Sequence, residues 1–216
     1  MWISSTWNGE NKQLPSNYRP IALTNIYSKI LEGIIRDKII SHMVNVGLVD
    51  DPQHGSVSGR STVTQLIQQQ KDILDILEDG YNLELIYLDF AKAYDKVYHQ
   101  ILLSKIQNIG VIGNTLGWIS HWLCSRTQRV RVGQELSDWD VVRSGVPQGS
   151  VLGPLMFLIF IWDLQISQII DPEAIRKIYK YVDDTKIVSS TKNTSDTISL
   201  QESLDEIYEG QVKNNI

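Results

Sequence analysis

The sequence predicts an α+β fold (α/β in the broad sense) built on a small sheet, and three observations predict it. Apolar strand-like runs are separated by helix-length stretches with a 3.6-residue apolar period. Two of those runs, Ile178–Val182 and Lys186–Val188, flank Asp183-Asp184 as a β-hairpin with two acids at its tip. The chain has 216 residues, 42% of them hydrophobic and 21% charged, enough for one sizeable core or two small subdomains.

Taken in order, residues 1–16 are polar, with Gly and Asn, and read as a loop or frayed end. Thr24 can cap a helix that carries Ile26, Ile30, Ile34 and Ile35 on one face and stops at Gly47. Ser61 caps a second, through Leu66, Ile67, Leu74 and Leu77, closed by Gly80. Leu83 to Phe90 alternates and then turns apolar, the pattern of a central strand. Helices follow from His99 to Gly110 and Thr115 to Cys124. Arg129–Gly133 alternates as a strand and can pair with Trp139–Val142. A Gly/Pro turn, Ser144–Gly149, leads into the apolar run Val151–Trp162. That run falls short of the about 20 residues that span a bilayer and reads as a buried helix. A polar helix starts near Ser195.

Composition excludes several classes. Cys124 is the single cysteine, so no internal disulfide framework exists, and a reducing, intracellular setting (cytoplasm or nucleus) is expected. No signal peptide opens the chain, and no membrane association is expected. Twenty Lys plus Arg against 25 Asp plus Glu leave a net charge of −5. That weighs against a simple nucleic-acid-binding module, which is usually basic along one face. The four histidines show no metal-ligand spacing, and Cys124 has no cysteine partner for zinc.

The acids carry the chemistry. Asp89 ends one apolar strand and Asp183-Asp184 sit at the tip of the apolar hairpin. Singly, each reads as a turn or capping acid. Held on rigid apolar strands, however, such carboxylates repel one another unless a cation lies between them. Hard oxygen ligands with open positions suit Mg²⁺, and two such ions clamp an in-line phosphoryl displacement.

These residues fall into recognisable blocks. Tyr181-Val182-Asp183-Asp184 resembles the YxDD hairpin of reverse transcriptases, and Leu88-Asp89-Phe90-Ala91-Lys92-Ala93-Tyr94-Asp95-Lys96-Val97 resembles their first palm motif. Ser144 to Pro154 resembles the Pro-Gln-Gly motif, while Asn17-Tyr18-Arg19-Pro20-Ile21 and Gln53–Thr62 resemble two fingers motifs. In this order the blocks are similar to the reverse transcriptases of jockey-like retrotransposons that lack long terminal repeats. The resemblance implies a right-hand polymerase palm sheet with its catalytic hairpin over residues 83–216. It also implies helical fingers over 17–82 and a polar segment over 1–16.

The resemblance further implies that Asp89 and Asp183 hold two Mg²⁺ ions, with Mn²⁺ as a substitute, and that Asp184 is a weaker or structural ligand. Phe90 belongs to that site through its main chain, its N–H facing the triphosphate. Tyr94 matches the aromatic that excludes a ribose 2′-hydroxyl, with an ordinary buried aromatic as the alternative. Gln148 and Gly149 border the incoming nucleotide, and Arg19 reaches the triphosphate. The implied partners are an RNA template, a DNA primer and deoxynucleoside triphosphates; the sequence identifies no protein partner.

Three departures are visible. Ser56 and Val57 stand where the family has Phe and Arg, Gly210 stands where it has Trp, and the chain ends at Ile216 before the primer grip and thumb. The expectation is therefore a polymerase domain whose 216 residues alone do not sustain synthesis. Its alternatives are a catalytically inactive truncated remnant and a non-enzymatic RNA-binding module.

Overall fold

The structure, a computed structural model, describes residues 2–7, 13, 18–48, 62–89, 93–132, 134–162, 176–181 and 184–213. Along the chain run β1 (Trp2–Trp7), β2 (Tyr18–Leu23), α1 (Ile26–Asn45), α2 (Thr62–Glu78) and β3 (Asn82–Asp89). Then come α3 (His99–Asn108), α4 (Gly113–Cys124), β4 (Thr127–Val132), β5 (Glu135–Leu136) and β6 (Asp140–Val141). The chain continues through α5 (Gly153–Phe160), β7 (Arg176–Tyr181), β8 (Asp184–Thr191) and α6 (Thr194–Lys213). The mixture of helices and sheets is the expected α+β class. The chain divides into two compact units, one of Met1–Val46 with Tyr94–Phe160, the other of Gly47–Ala93 with Ile161–Ile216.

The first unit contains a sheet in the order β2-β1-β4-β5, with β6 also paired to β4. Residues 2–7 are thus no frayed end: β1 pairs antiparallel with β2 and parallel with β4. The extended run Trp2–Trp7 recruits the row of backbone donors and acceptors that β4 would otherwise leave open. Arg131 pairs with Leu136 and Thr127 with Val141, so β4 meets both short strands that follow it.

The apolar run forms α5, where Leu155, Met156, Phe157, Ile159 and Phe160 are essentially inaccessible. Helix α3 packs on α4 and α5, and its Leu102 and Ile106 are fully buried. Helix α1 is capped by Asn25 rather than Thr24: the Asn25 carboxamide oxygen accepts from Ser28 N–H at 2.7 Å. Its apolar stripe is turned outward, with Ile26, Ile30 and Ile34 each more than half exposed, while Glu32, Ile39 and Met43 face in.

The second unit holds an antiparallel sheet in the order β3-β8-β7. The sequence led us to expect β3 at the centre, but β8 occupies it. Strand β8 is bonded on both sides and buries Ile187, Val188 and Ser189 completely, whereas β3 leaves Tyr87 64% exposed. Ile76 of α2 closes a small core with Tyr179 and Val188, and Ile73, Tyr81 and Leu83 pack around it. Gly80, at φ 75°, ends α2 and turns the chain into β3. Helix α6 packs along β8. Among the described residues no helix is long and apolar enough to cross a membrane.

Candidate active site

In the second unit, strand register brings the acidic positions together. Asp89, the last residue of β3, lies directly opposite Asp184, the first of β8, and Asp184 is in turn opposite Tyr181, the last of β7. Directly opposed residues of an antiparallel pair have Cα atoms only about 4.5–5.5 Å apart. The ends of all three strands therefore meet at one edge of the sheet. Phe90, Val182 and Asp183 lie outside the described residues, as do residues 49–61 with the Ser56-Val57 departure.

The hairpin strand is fastened from behind by a buried carboxylate. Asp72 of α2 accepts from Lys177 Nζ at 2.6 Å, from Gln68 Nε2 at 3.1 Å and from the Tyr179 hydroxyl. Burial pushes the Asp72 carboxyl up, but the donors Lys177 and Tyr179 outweigh it and hold it below its ordinary value. Burial, with the hydrogen bond to Asp72, pushes the Tyr179 phenol well up, so it stays a donor. Two of the three donors belong to β7, two and four residues before Tyr181.

In the first unit, the turn from Ser144 to Leu152 is laced to the segment that follows the first acidic motif. Gly145 N–H donates to Val97 O and Val146 N–H to Tyr94 O, both at 2.8 Å. Ser144 Oγ donates to Asp95 O at 3.0 Å, and Gln148 Nε2 donates to the Asp95 carboxylate at 3.2 Å. On the other side Ala22 N–H of β2 donates to Gln148 O at 2.8 Å. Arg19 sits on the same strand, paired with Thr6.

Two glycines make the turn possible. Gly145, at φ 85°, has no room for a Cβ, which would lie 2.9 Å from Tyr94 O; Gly149 holds φ 92° beside Ala22 O. Tyr94, half-buried, stacks on Phe157 with ring centroids 5.2 Å apart. Tyr94, Gln148, Gly149 and the Arg19 strand position thus belong to one unit, and Asp89 and Asp184 to the other.

Four contributors were not singled out from sequence: Glu32, Asp72, Asp95 and His99. Glu32 and Asp72 stand among isoleucines and leucines at helical spacing, the only signal of a buried acid. Arg126 turns inward and donates to Leu123 O at 3.0 Å and Gly145 O at 2.7 Å. His99 also bonds Gly145 O, at 2.9 Å, so its Nε2 carries the proton. Burial lowers its pKa and keeps the ring neutral.

The chain as a whole is similar to known proteins. The family described as "Reverse transcriptase (RNA-dependent DNA polymerase)" matches residues 9–215. A Drosophila melanogaster protein described as a probable RNA-directed DNA polymerase from transposon BS is 33% identical over 85% of this chain and 20% of its own length. The RNA-directed DNA polymerase from mobile element jockey of the same species is 28% identical over 88% of this chain and 21% of its own. The chain thus spans about a fifth of the length of these curated relatives. Among solved structures, telomerase from Candida tropicalis in complex with a TWJ fragment of telomeric RNA superposes with a TM-score of 0.63. That match has 16% identity over 89% of this chain and 37% of the other, a likeness of fold.

Proposed function

This chain belongs to the reverse transcriptase (RNA-dependent DNA polymerase) family, and from that membership we propose that it carries out RNA-directed DNA synthesis. The chemistry would be nucleotidyl transfer onto a primer 3′-hydroxyl as part of a retrotransposon product without long terminal repeats. Residues 17–82 would serve as fingers and 83–216 as palm. The observation that carries the reading is the register that sets Asp89 opposite Asp184 where three strand ends meet.

Carboxylates at that edge fit a hard divalent cation: the donors are oxygens, and the apolar strands beneath cannot move apart to relieve repulsion. Asp89 and Asp183 would hold two Mg²⁺ ions (or Mn²⁺), with Asp184 beside them and Phe90 contributing its main chain. Bound there, the ions would acidify the primer hydroxyl and neutralise charge on the departing pyrophosphate. The protein's part is placement. Gln148 and Gly149 would border the incoming deoxynucleoside triphosphate, Arg19 would contact its phosphates, and Tyr94 would crowd the sugar 2′ position. The proposed partners are an RNA template and a DNA primer, in an intracellular compartment.

The test is primer extension on an RNA template. It would use the 216-residue chain and a fusion that continues from Ile216 with the region following the matched segment in the jockey relative. The expected outcome is Mg²⁺-dependent extension by the fusion, abolished by Asp183→Asn. A folded fusion that extends no primer, or extends equally well after Asp183→Asn, would instead support an inactive remnant.

A further inference from the structure

We propose that Glu32 and Arg126 are positioning residues that, bridged by Trp122, hold the two ends of the Gly145–Leu152 turn so that Gln148 and Gly149 stand preformed for the nucleotide. This rests on the polymerase reading above and names the groups that would order its nucleotide side.

Glu32 has no exposed surface, although it is an acid on a helix otherwise rich in isoleucine. A carboxylate so buried is costly unless donors surround it. Four do. Oε2 accepts from the backbone N–H groups of Val151 at 2.8 Å and Leu152 at 3.2 Å. Oε1 accepts from Ser28 Oγ at 3.0 Å and Trp122 Nε1 at 3.3 Å. The first two are N–H groups at the entry to α5, which the helix itself cannot satisfy.

Arg126 grips the other end of the turn through Gly145 O, with its second bond to Leu123 O. Its guanidinium carbon lies 5.5 Å from the centre of the Trp122 ring, whose N–H points to Glu32. Burial brings the Arg126 pKa down to about 10, while the Cys124 sulfur and the Glu32 carboxylate act to raise it. Glu32 and Arg126 both bond the turn through its main chain, so their hold on it does not depend on side chains that a ligand would engage. The consequence is pre-organisation: Gln148 keeps its place beside Asp95 before any nucleotide arrives.

A purely structural pair could be replaced by apolar groups of similar volume at little cost. A positioning pair could not, which makes methionine the informative substitution. Amide hydrogen exchange in the full chain, followed by NMR at Val151 and Leu152 with Ile119 and Leu123 as internal references, reads the anchoring. Calorimetric titration with dTTP and Mg²⁺ reads its consequence.

In Glu32→Met the two turn amides should exchange at least about tenfold faster than the references, and dTTP should bind at least about tenfold more weakly. Glu32→Gln, which keeps an oxygen for both amides, should stay near wild type in both. Glu32→Met/Arg126→Met should lose no more dTTP affinity than the worse single variant, as expected for one shared frame. Unchanged turn amides in Glu32→Met, or equal acceleration at the references, would overturn the anchoring. Loosened amides with unchanged dTTP affinity would overturn the positioning role alone. A wild-type chain with protected amides that binds no dTTP would sink the polymerase reading instead.

Discussion

Asp72 shows how a single side chain carries both stability and geometry. Its carboxyl is held below its ordinary value of 3.8, so the unfolded chain binds the proton more readily than the folded one. Its contribution is therefore fully present above about pH 3.8 and is lost as pH falls through the lower folded value. The stability difference between wild type and Asp72→Ala, measured by urea unfolding, should be about 1–3 kcal/mol at neutral pH. It should shrink steadily below about pH 3.8, and a difference that grew with acid would contradict the assignment. Gly145→Ala tests the turn in the same way. A Cβ there meets Tyr94 O at 2.9 Å and the Asp95 backbone at 3.0 Å, on a residue with φ 85°. The expected loss exceeds about 1 kcal/mol by denaturant midpoint. Tyr94→Ala in an active fusion should raise ribonucleotide relative to deoxyribonucleotide incorporation; an unchanged ratio would leave Tyr94 as a packing aromatic against Phe157.

At the scale of elements, the β7–β8 hairpin was legible because its apolar flanks and central acids have period two and turn chemistry in the same eleven residues. Its place in the sheet was not. The sequence of β3 is as apolar as a central strand, and only pairing shows β8 between its neighbours. Helices α1 and α2 were placed correctly along the chain, but their apolar faces are not the buried ones. Leu66, Ile67, Leu74 and Leu77 of α2 are each more than half exposed, while Gln69, Asp72 and Ile76 are buried. Hydrophobic period identifies a face, whereas burial is decided by which face finds partners, and a buried acid with several donors can win that competition. The hairpin also carries a ligand prediction. Mg²⁺ should raise the thermal midpoint of the wild-type chain by binding the folded state, and should do so much less in Asp89→Asn or Asp183→Asn. Equal shifts in all three would place the ion elsewhere.

For the molecule as a whole, the net charge of −5 sets the expectation for nucleic acid. Counterion release scales with the phosphates that Lys and Arg neutralise, and inward-facing Arg126 is not available for that role. Binding of a primer–template should therefore show a shallow salt dependence, equivalent to roughly 2–4 neutralised phosphates. Fluorescence anisotropy across a salt series measures it, and a slope several times steeper would reveal a basic track that the charge balance hides.

The sequence by itself determined the family, the helices and the longer strands beyond residue 24, and the identity of the acids, because motif chemistry and short-range periodicity are local properties; it left β2 and β5 unread. It also determined that the chain carries Pro-Gln-Gly and its glycines; the positive φ of Gly145 and Gly149 is a finding of the structure. Tertiary structure alone decided the strand role of residues 2–7, the central place of β8, the outward apolar faces of α1 and α2, and the use of Glu32, Asp72 and Arg126 as buried anchors. Each of these depends on a partner distant in sequence: β4 for β1, Val151 and Leu152 for Glu32, Lys177 and Tyr179 for Asp72. A buried charge is stable only where such partners converge, and convergence is a property of the fold that no local pattern of residues contains.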